Sequence, residues 1–160
     1  MAESLFDNRY RYDYIYPRGR SGETLRATDT QDNDRPVVIK RPAPHDGPPI
    51  RFGQGVSIQN ERKALSRLTG HAAIPELLGG GQFYVSGIAH QYISMERAEG
   101  QIIADLVLDL ASRGERLPEL EMLNLIDMLL DVLHAAHGHD NVDNDVDAKH
   151  LFWDRDRYRL

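Results

Sequence analysis

Three features of the 160-residue sequence predict an α+β fold. Short β-branched or aromatic runs, separated by Gly and Pro, fill most of the first 96 residues. One stretch of helical spacing interrupts them, and after Gly100 the apolar spacing becomes wholly helical. The expected arrangement is a five-stranded antiparallel unit with one helix over residues 1–97, followed by helices over residues 98–160.

Each element has its own signal. Residues 12–16 alternate aromatic and other side chains, residues 17–22 break the run, and residues 23–28 resume it before a polar turn at 29–35, so a hairpin is expected. Val37-Val38-Ile39-Lys40 is a third strand, β-branched and ended by Pro42. Residues 42–55 hold four prolines and three glycines and read as an exposed loop without fixed structure. Residues 58–68 then read as a helix, with Ile58, Ala64 or Leu65, and Leu68 on one side and Glu61, Arg62 and Arg67 on others. Residues 82–85 and 90–95 are two further strands around Ser86-Gly87. Residues 102–112 form a short amphipathic helix. Residues 118–137 form a longer one, with Leu120, Leu123, Ile126, Leu130, Leu133 and Ala136 or His137 three or four apart and Pro118 in its first turn. The tail offers a strand at 151–153 and a turn at 154–157, followed by Tyr158-Arg-Leu160.

Composition narrows the function. Nineteen Lys and Arg against 25 Asp and Glu give a net charge of −6, which lacks the positive field of a non-specific nucleic-acid binder. The absence of cysteine removes disulfides, thiolate nucleophiles and cysteine-ligated metals, and permits a cytoplasmic location. No apolar run reaches the length of about 20 residues needed to span a bilayer, and Glu3, Asp7 and Arg9 occupy the place of a signal peptide's apolar stretch. No nucleic-acid or membrane partner is expected.

Some residues carry possible chemistry. The segment Pro17-Arg-Gly19-Arg-Ser-Gly22 is, read alone, either a plain hairpin turn or a turn whose glycines bring backbone N–H groups to phosphate. Lys40, behind three β-branched residues, is a surface ammonium or one fixed beside an apolar surface, and Glu61 on the next helix is within reach as its counter-ion.

The order of these motifs resembles the protein-kinase small lobe: strand, glycine turn, strand, Val-Val-Ile-Lys40, loop, helix with Glu61, two strands, then helices. The likeness continues through Tyr92-Ile-Ser-Met95-Glu96-Arg-Ala98, which is similar to the fifth strand and the hinge between lobes, and through the long helix ending in Leu133-His-Ala-Ala-His137. It implies a kinase-like fold, with the first helices of a truncated large lobe, in a fragment of a Ser/Thr protein kinase or pseudokinase. It further implies that Lys40 holds the α- and β-phosphates of ATP, that Glu61 holds Lys40, and that Gly19 and Gly22 carry backbone over the phosphates. Val38 would pack on adenine, Met95 would be the gatekeeper, and the backbone of Glu96 and Ala98 would bond the adenine edge. A protein substrate or signalling partner is implied by the same resemblance.

The departures from that family are specific. Pro17 replaces the first loop glycine and removes an N–H donor. Aligned without gaps, Asp143-Asn144-Asp145 falls on the family's His-Arg-Asp motif, leaving Asp145 as the residue that accepts or orients the substrate hydroxyl. Asp147 takes the place of a lysine that stabilises transferring phosphate, and His150 the place of an asparagine that binds magnesium, so Mg is expected to be held less well. Asp143 to Asp154 also resembles a calcium loop, but Ala148 stands where its turn requires glycine. His134, His137, His139 and His150 lack independent further ligands for zinc. Phosphoryl transfer by a kinase, nucleotide binding by a pseudokinase and a nucleotide-free interaction domain are the three readings these residues allow.

Overall fold

A computed structural model describes residues 5–139, 150–154 and 158–159. The chain is α+β and divides into two compact units, Met1–Ser66 with Glu76–Arg97, and Arg67–Pro75 with Ala98–Leu160.

The first unit is built on β1 (Tyr10–Ile15), β2 (Glu23–Asp29), β3 (Arg35–Arg41), helix α1 (Pro48–Arg67), β4 (Leu77–Val85) and β5 (Ile88–Glu96). The strands form one antiparallel sheet in the order β1-β2-β3-β5-β4. The β4–β5 turn uses Ser86 at φ 51° and Gly87 at φ 79°, the paired positive values that let a two-residue turn follow the strand twist.

One sheet face carries the aromatic core. Tyr10, Leu25, Ala27, Val37, Ile39 and Tyr92 are buried there, with Phe6, Leu78 and Phe83 packed against them. The Phe6 and Tyr92 rings meet edge-on at 4.9 Å, and Tyr10 and Tyr92 at 5.9 Å. The Tyr10 hydroxyl donates to Ser94 Oγ at 3.2 Å, and the Tyr92 hydroxyl donates to the Asp7 carboxylate. Burial, followed by that hydrogen bond, raises the Tyr92 pKa, so the phenol remains a donor.

Two first-unit elements differ from expectation. β4 begins at Leu77 and runs through Gly79-Gly80-Gly81, where the sequence signal started only at residue 82. The glycines are there for space: a Cβ on Gly80 would lie 2.4 Å from the Tyr92 carbonyl oxygen, and one on Gly81 2.7 Å from the Tyr92 hydroxyl. Helix α1 begins at Pro48, so much of the expected irregular loop is helix. Its buried residues are Arg51, Gln54, Ile58 and Leu65, and the first two are polar. An apolar periodicity is blind to that turn.

The second unit contains β6 (Gln101–Ile102), helix α2 (Ile103–Ser112), helix α3 (Glu119–His137), β7 (Phe152–Trp153) and β8 (Tyr158–Arg159). β7 pairs antiparallel with both β6 and β8, and Gly100, at φ 108°, leaves room for the Trp153 carbonyl. Ile103, Leu106 and Leu151 form the buried cluster, with Leu125, Met128, Leu129 and Trp153 among the residues against it. This corrects the expected orientation of α3. Leu120, Leu123, Ile126 and Leu130 of the stripe that the spacing selected as core are exposed, whereas its last members turn inward, Leu133 half-buried and Ala136 buried. A second apolar row, containing Leu125, Met128, Leu129 and Val132, packs inward. Pro118 precedes α3 as its N-cap rather than lying in its first turn. Among the described residues no helix is long and apolar enough to cross a membrane.

This packing has measurable consequences for stability. Gly80→Ala should destabilise by about 1–3 kcal/mol through overpacking, whereas Gly53→Ala, in α1 with nothing within 4 Å of the added methyl, should stabilise by up to about 1 kcal/mol. Urea unfolding of both variants checks the opposite signs. The buried Asp29 accepts from Arg9 Nε at 2.8 Å and from the Gln31 N–H at 3.1 Å, and the Arg9 contact holds its carboxyl below the ordinary carboxylate value. A depressed pKa means stability that is present above pH about 4 and lost as pH falls through the lower folded value. Asp29→Asn should therefore cost stability at pH 7, and that cost should shrink as unfolding is measured at progressively lower pH below 4.

Candidate functional site

Strand alternation decides which way the consecutive cations Lys40 and Arg41 project. Val37, Ile39 and Arg41 share the aromatic face. The Arg41 guanidinium lies 4.8 Å from the Phe6 ring centroid and 5.6 Å from that of Phe83, and pairs with Glu23 at 3.1 Å. Val38 and Lys40 project to the other face. Lys40 stands opposite Thr24 on β2 and Ile93 on β5, and Val38 stands opposite Arg26 and Met95. Ile93 and Met95 are both buried, so Lys40 sits beside an apolar surface.

Helix α1 supplies the counter-ion. Glu61 follows Ile58 by three residues and precedes Leu65 by four, which puts its carboxylate on the helix row that is buried. This corrects its expected place on another side of the helix from Ile58 and Leu65. Lys40 Nζ donates directly to Glu61 Oε1, and the side chains are 31% and 28% exposed. The pair is thus open enough to water for a ligand to compete for the ammonium.

The glycine turn closes on the same strand end. Gly19 and Gly22 form an isolated antiparallel bridge, and the Tyr16 N–H donates to the Thr24 carbonyl at 2.9 Å. Gly22 adopts φ 113°, and a Cβ there would lie 2.3 Å from the Arg41 carbonyl oxygen. Glycine is required at 22 on both counts, whereas nothing lies within 4 Å of a methyl on Gly19.

No family model matches the sequence, and no curated protein matches it. The reading of the site therefore stands on its own geometry and on the order of its motifs.

The remaining expected residues are dispersed. Val38 is half-buried and Met95 buried, facing each other across the β3–β5 pair. At the end of β5 the Glu96 N–H donates to the Glu76 carbonyl at 2.8 Å, and the Glu96 carboxylate accepts from the Glu76 N–H at 3.3 Å. Ala98 belongs to the second unit. His150 is described and exposed, while Asp143, Asp145 and Asp147 lie outside the described residues.

The sequence reading missed a polar network next to the glycine turn. Asp46, in the loop before α1, is paired with Arg18 and accepts from Gln54 Nε2 at 2.6 Å. Gln54 Oε1 accepts from the Ala43 N–H at 2.9 Å, Arg51 donates to the carbonyls of Pro44 and Asp46, and Ser57 donates to Ser21 Oγ at 3.0 Å. The available signal was Pro48, a residue suited to the first turn of a helix.

Because Lys40 and Glu61 are each about a third exposed, their coupling should be modest, about 0.5–1 kcal/mol. A double-mutant cycle with Lys40→Met and Glu61→Gln, measured by urea unfolding, should return a value in that range, leaving both variants folded for binding assays.

Proposed function

We propose that this chain is the ATP-binding part of a protein-kinase-like phosphotransferase, its first unit serving as the small lobe. The observation that carries the reading is the Lys40–Glu61 pair on the face opposite the aromatic core, beside a glycine turn that requires glycine at 22. An ammonium fixed by a carboxylate and still partly wet is suited to polyphosphate, because phosphate oxygens can share it without leaving a buried charge unpaired. Val38, half-buried beside the buried Met95 on that same strand pair, offers apolar surface suited to a purine. In this reading Gly19 and Gly22 bring backbone over the phosphates, the backbone of Glu96 and Ala98 bonds the adenine edge, and Asp145 orients the hydroxyl of a protein serine or threonine. The transferred phosphoryl passes from ATP to that hydroxyl, ADP leaves, and the hydroxyl proton goes to a carboxylate. A cytoplasmic setting, where ATP is plentiful and cysteines are unneeded, belongs to the same proposal.

A second reading, a pseudokinase that binds nucleotide without transfer, is favoured by Asp147 and His150. An acidic residue beside transferring phosphate opposes the charge it should stabilise, and an imidazole is a poor ligand for hard magnesium.

ATP with magnesium at about 100 times Kd should stabilise the protein by about 2.7 kcal/mol, which corresponds to a rise of roughly 5–10 °C in Tm for a chain of this size. Lys40→Met should lose most of that rise. Equal shifts in both proteins, or none in either, would remove Lys40 from the proposed site. Transfer of label from γ-labelled ATP to a generic protein acceptor, lost in Asp145→Asn, separates the kinase from the pseudokinase, for which no transfer is expected from either protein.

A further inference from the structure

Arg18 occupies an unusual position for a residue in a glycine turn. Its guanidinium is half exposed, yet it is committed to Asp46, whose side chain is only 13% exposed and which sits in the loop leading into α1. The turn that carries it joins β1 to β2, and β2 places Thr24 directly opposite Lys40. Arg18 therefore belongs to the same stretch of backbone that the nucleotide reading sets over the phosphates.

The loop beneath does not depend on Arg18 for its own order. Gln54 is buried, donates to Asp46 and accepts from the Ala43 N–H, while Arg51 holds two loop carbonyls. Asp46 would keep its Gln54 bond if Arg18 left. The bond most open to competition is thus the Arg18–Asp46 pair, whose guanidinium is half exposed, and its loss leaves the mostly covered carboxylate with its hydrogen bond from Gln54. A nucleoside triphosphate carries several negative charges and presents paired oxygens to a guanidinium fork, so it outcompetes a single carboxylate for the same arginine.

We propose that Arg18 is a phosphate-binding residue held back by Asp46, whose carboxylate straps the glycine turn to the loop before α1 until a nucleotide polyphosphate takes the guanidinium from it. This inference rests on the nucleotide reading of the site and adds to it a residue and a means of regulation. Asp46 acts as an internal competitor for the polyphosphate. It lowers the affinity for ATP without touching ATP and leaves that for adenosine unchanged, because adenosine has no charge to compete for the arginine. The Arg18 contact also holds the Asp46 carboxyl below its ordinary value, so the competitor is ionised at neutral pH.

The test is calorimetric titration of ATP and of adenosine into the wild type, Asp46→Asn, Arg18→Gln and the double variant. Asn at 46 keeps an oxygen for Gln54 and removes only the charge. Asp46→Asn is expected to bind ATP about two- to fivefold tighter, the range of an ion pair partly open to water, with adenosine unchanged. Arg18→Gln should weaken ATP, and in its background Asp46→Asn should have no further effect. An Asp46→Asn effect that is equal for ATP and adenosine, or that persists undiminished without Arg18, overturns the inference, as does unchanged ATP affinity in a protein that still binds adenosine. Failure of every variant to bind either ligand overturns the nucleotide reading itself, and this inference with it.

Discussion

The constraint that governs the first unit is a middle strand, β3, flanked by neighbours in a five-stranded sheet and packed on both of its faces. Val37 and Ile39 enter an aromatic core made with Tyr10, Leu25 and Tyr92, while Val38 and Lys40 look the other way, beside the buried Ile93 and Met95. A strand covered twice cannot alternate apolar with polar in the usual manner, and the run Val-Val-Ile reflects that. Its charged end then has to be neutralised on each side separately. Arg41 is taken by Glu23 and the rings of Phe6, Tyr12 and Phe83, and Lys40 by Glu61. The proposed site is thus the polar edge of a packing solution.

Helix α1 couples the site to its surroundings. Its Ile58, Glu61 and Leu65 row serves the sheet face that bears Lys40, and its first turns, through Arg51 and Gln54, order a loop rich in proline. That loop reaches the glycine turn through Asp46 and Arg18. A single helix therefore holds both the ammonium and the turn, a rigid way to keep the two elements of the proposed site in register.

How legible this was in the sequence depended on which physical signal each part used. Strands marked by β-branched residues and the Ser86-Gly87 turn were readable because side-chain alternation and positive φ leave clear traces. The start of β4 was not, since glycines there serve the approach of Tyr92 from a neighbouring strand, a tertiary requirement with no local signature. The first turns of α1 were hidden because their buried residues are Arg51 and Gln54. In α3 the apolar positions go most of the way round, so spacing alone could not say which row faces inward, and Leu125, Met128 and Leu129 proved to be that row. Lys40 and Glu61 were found as a pair because motif order linked them, whereas nothing in the sequence links Arg18, in the glycine turn, to Asp46, and their pairing emerges only from the folded loop.

The strand order β1-β2-β3-β5-β4 also bears on how the sheet assembles. It consists of two blocks with nearest-neighbour pairing, β1-β2-β3 and β4-β5, each able to form by short-range zippering. Their single joint is the β3–β5 pairing from Val37 with Glu96 to Lys40 with Ile93, and it closes across the whole of α1. Loop-closure entropy concentrates in that one joint, so its formation governs the rate of sheet completion. The strand bearing Lys40 thus owes its second neighbour to the pairing with the largest loop-closure cost in the sheet.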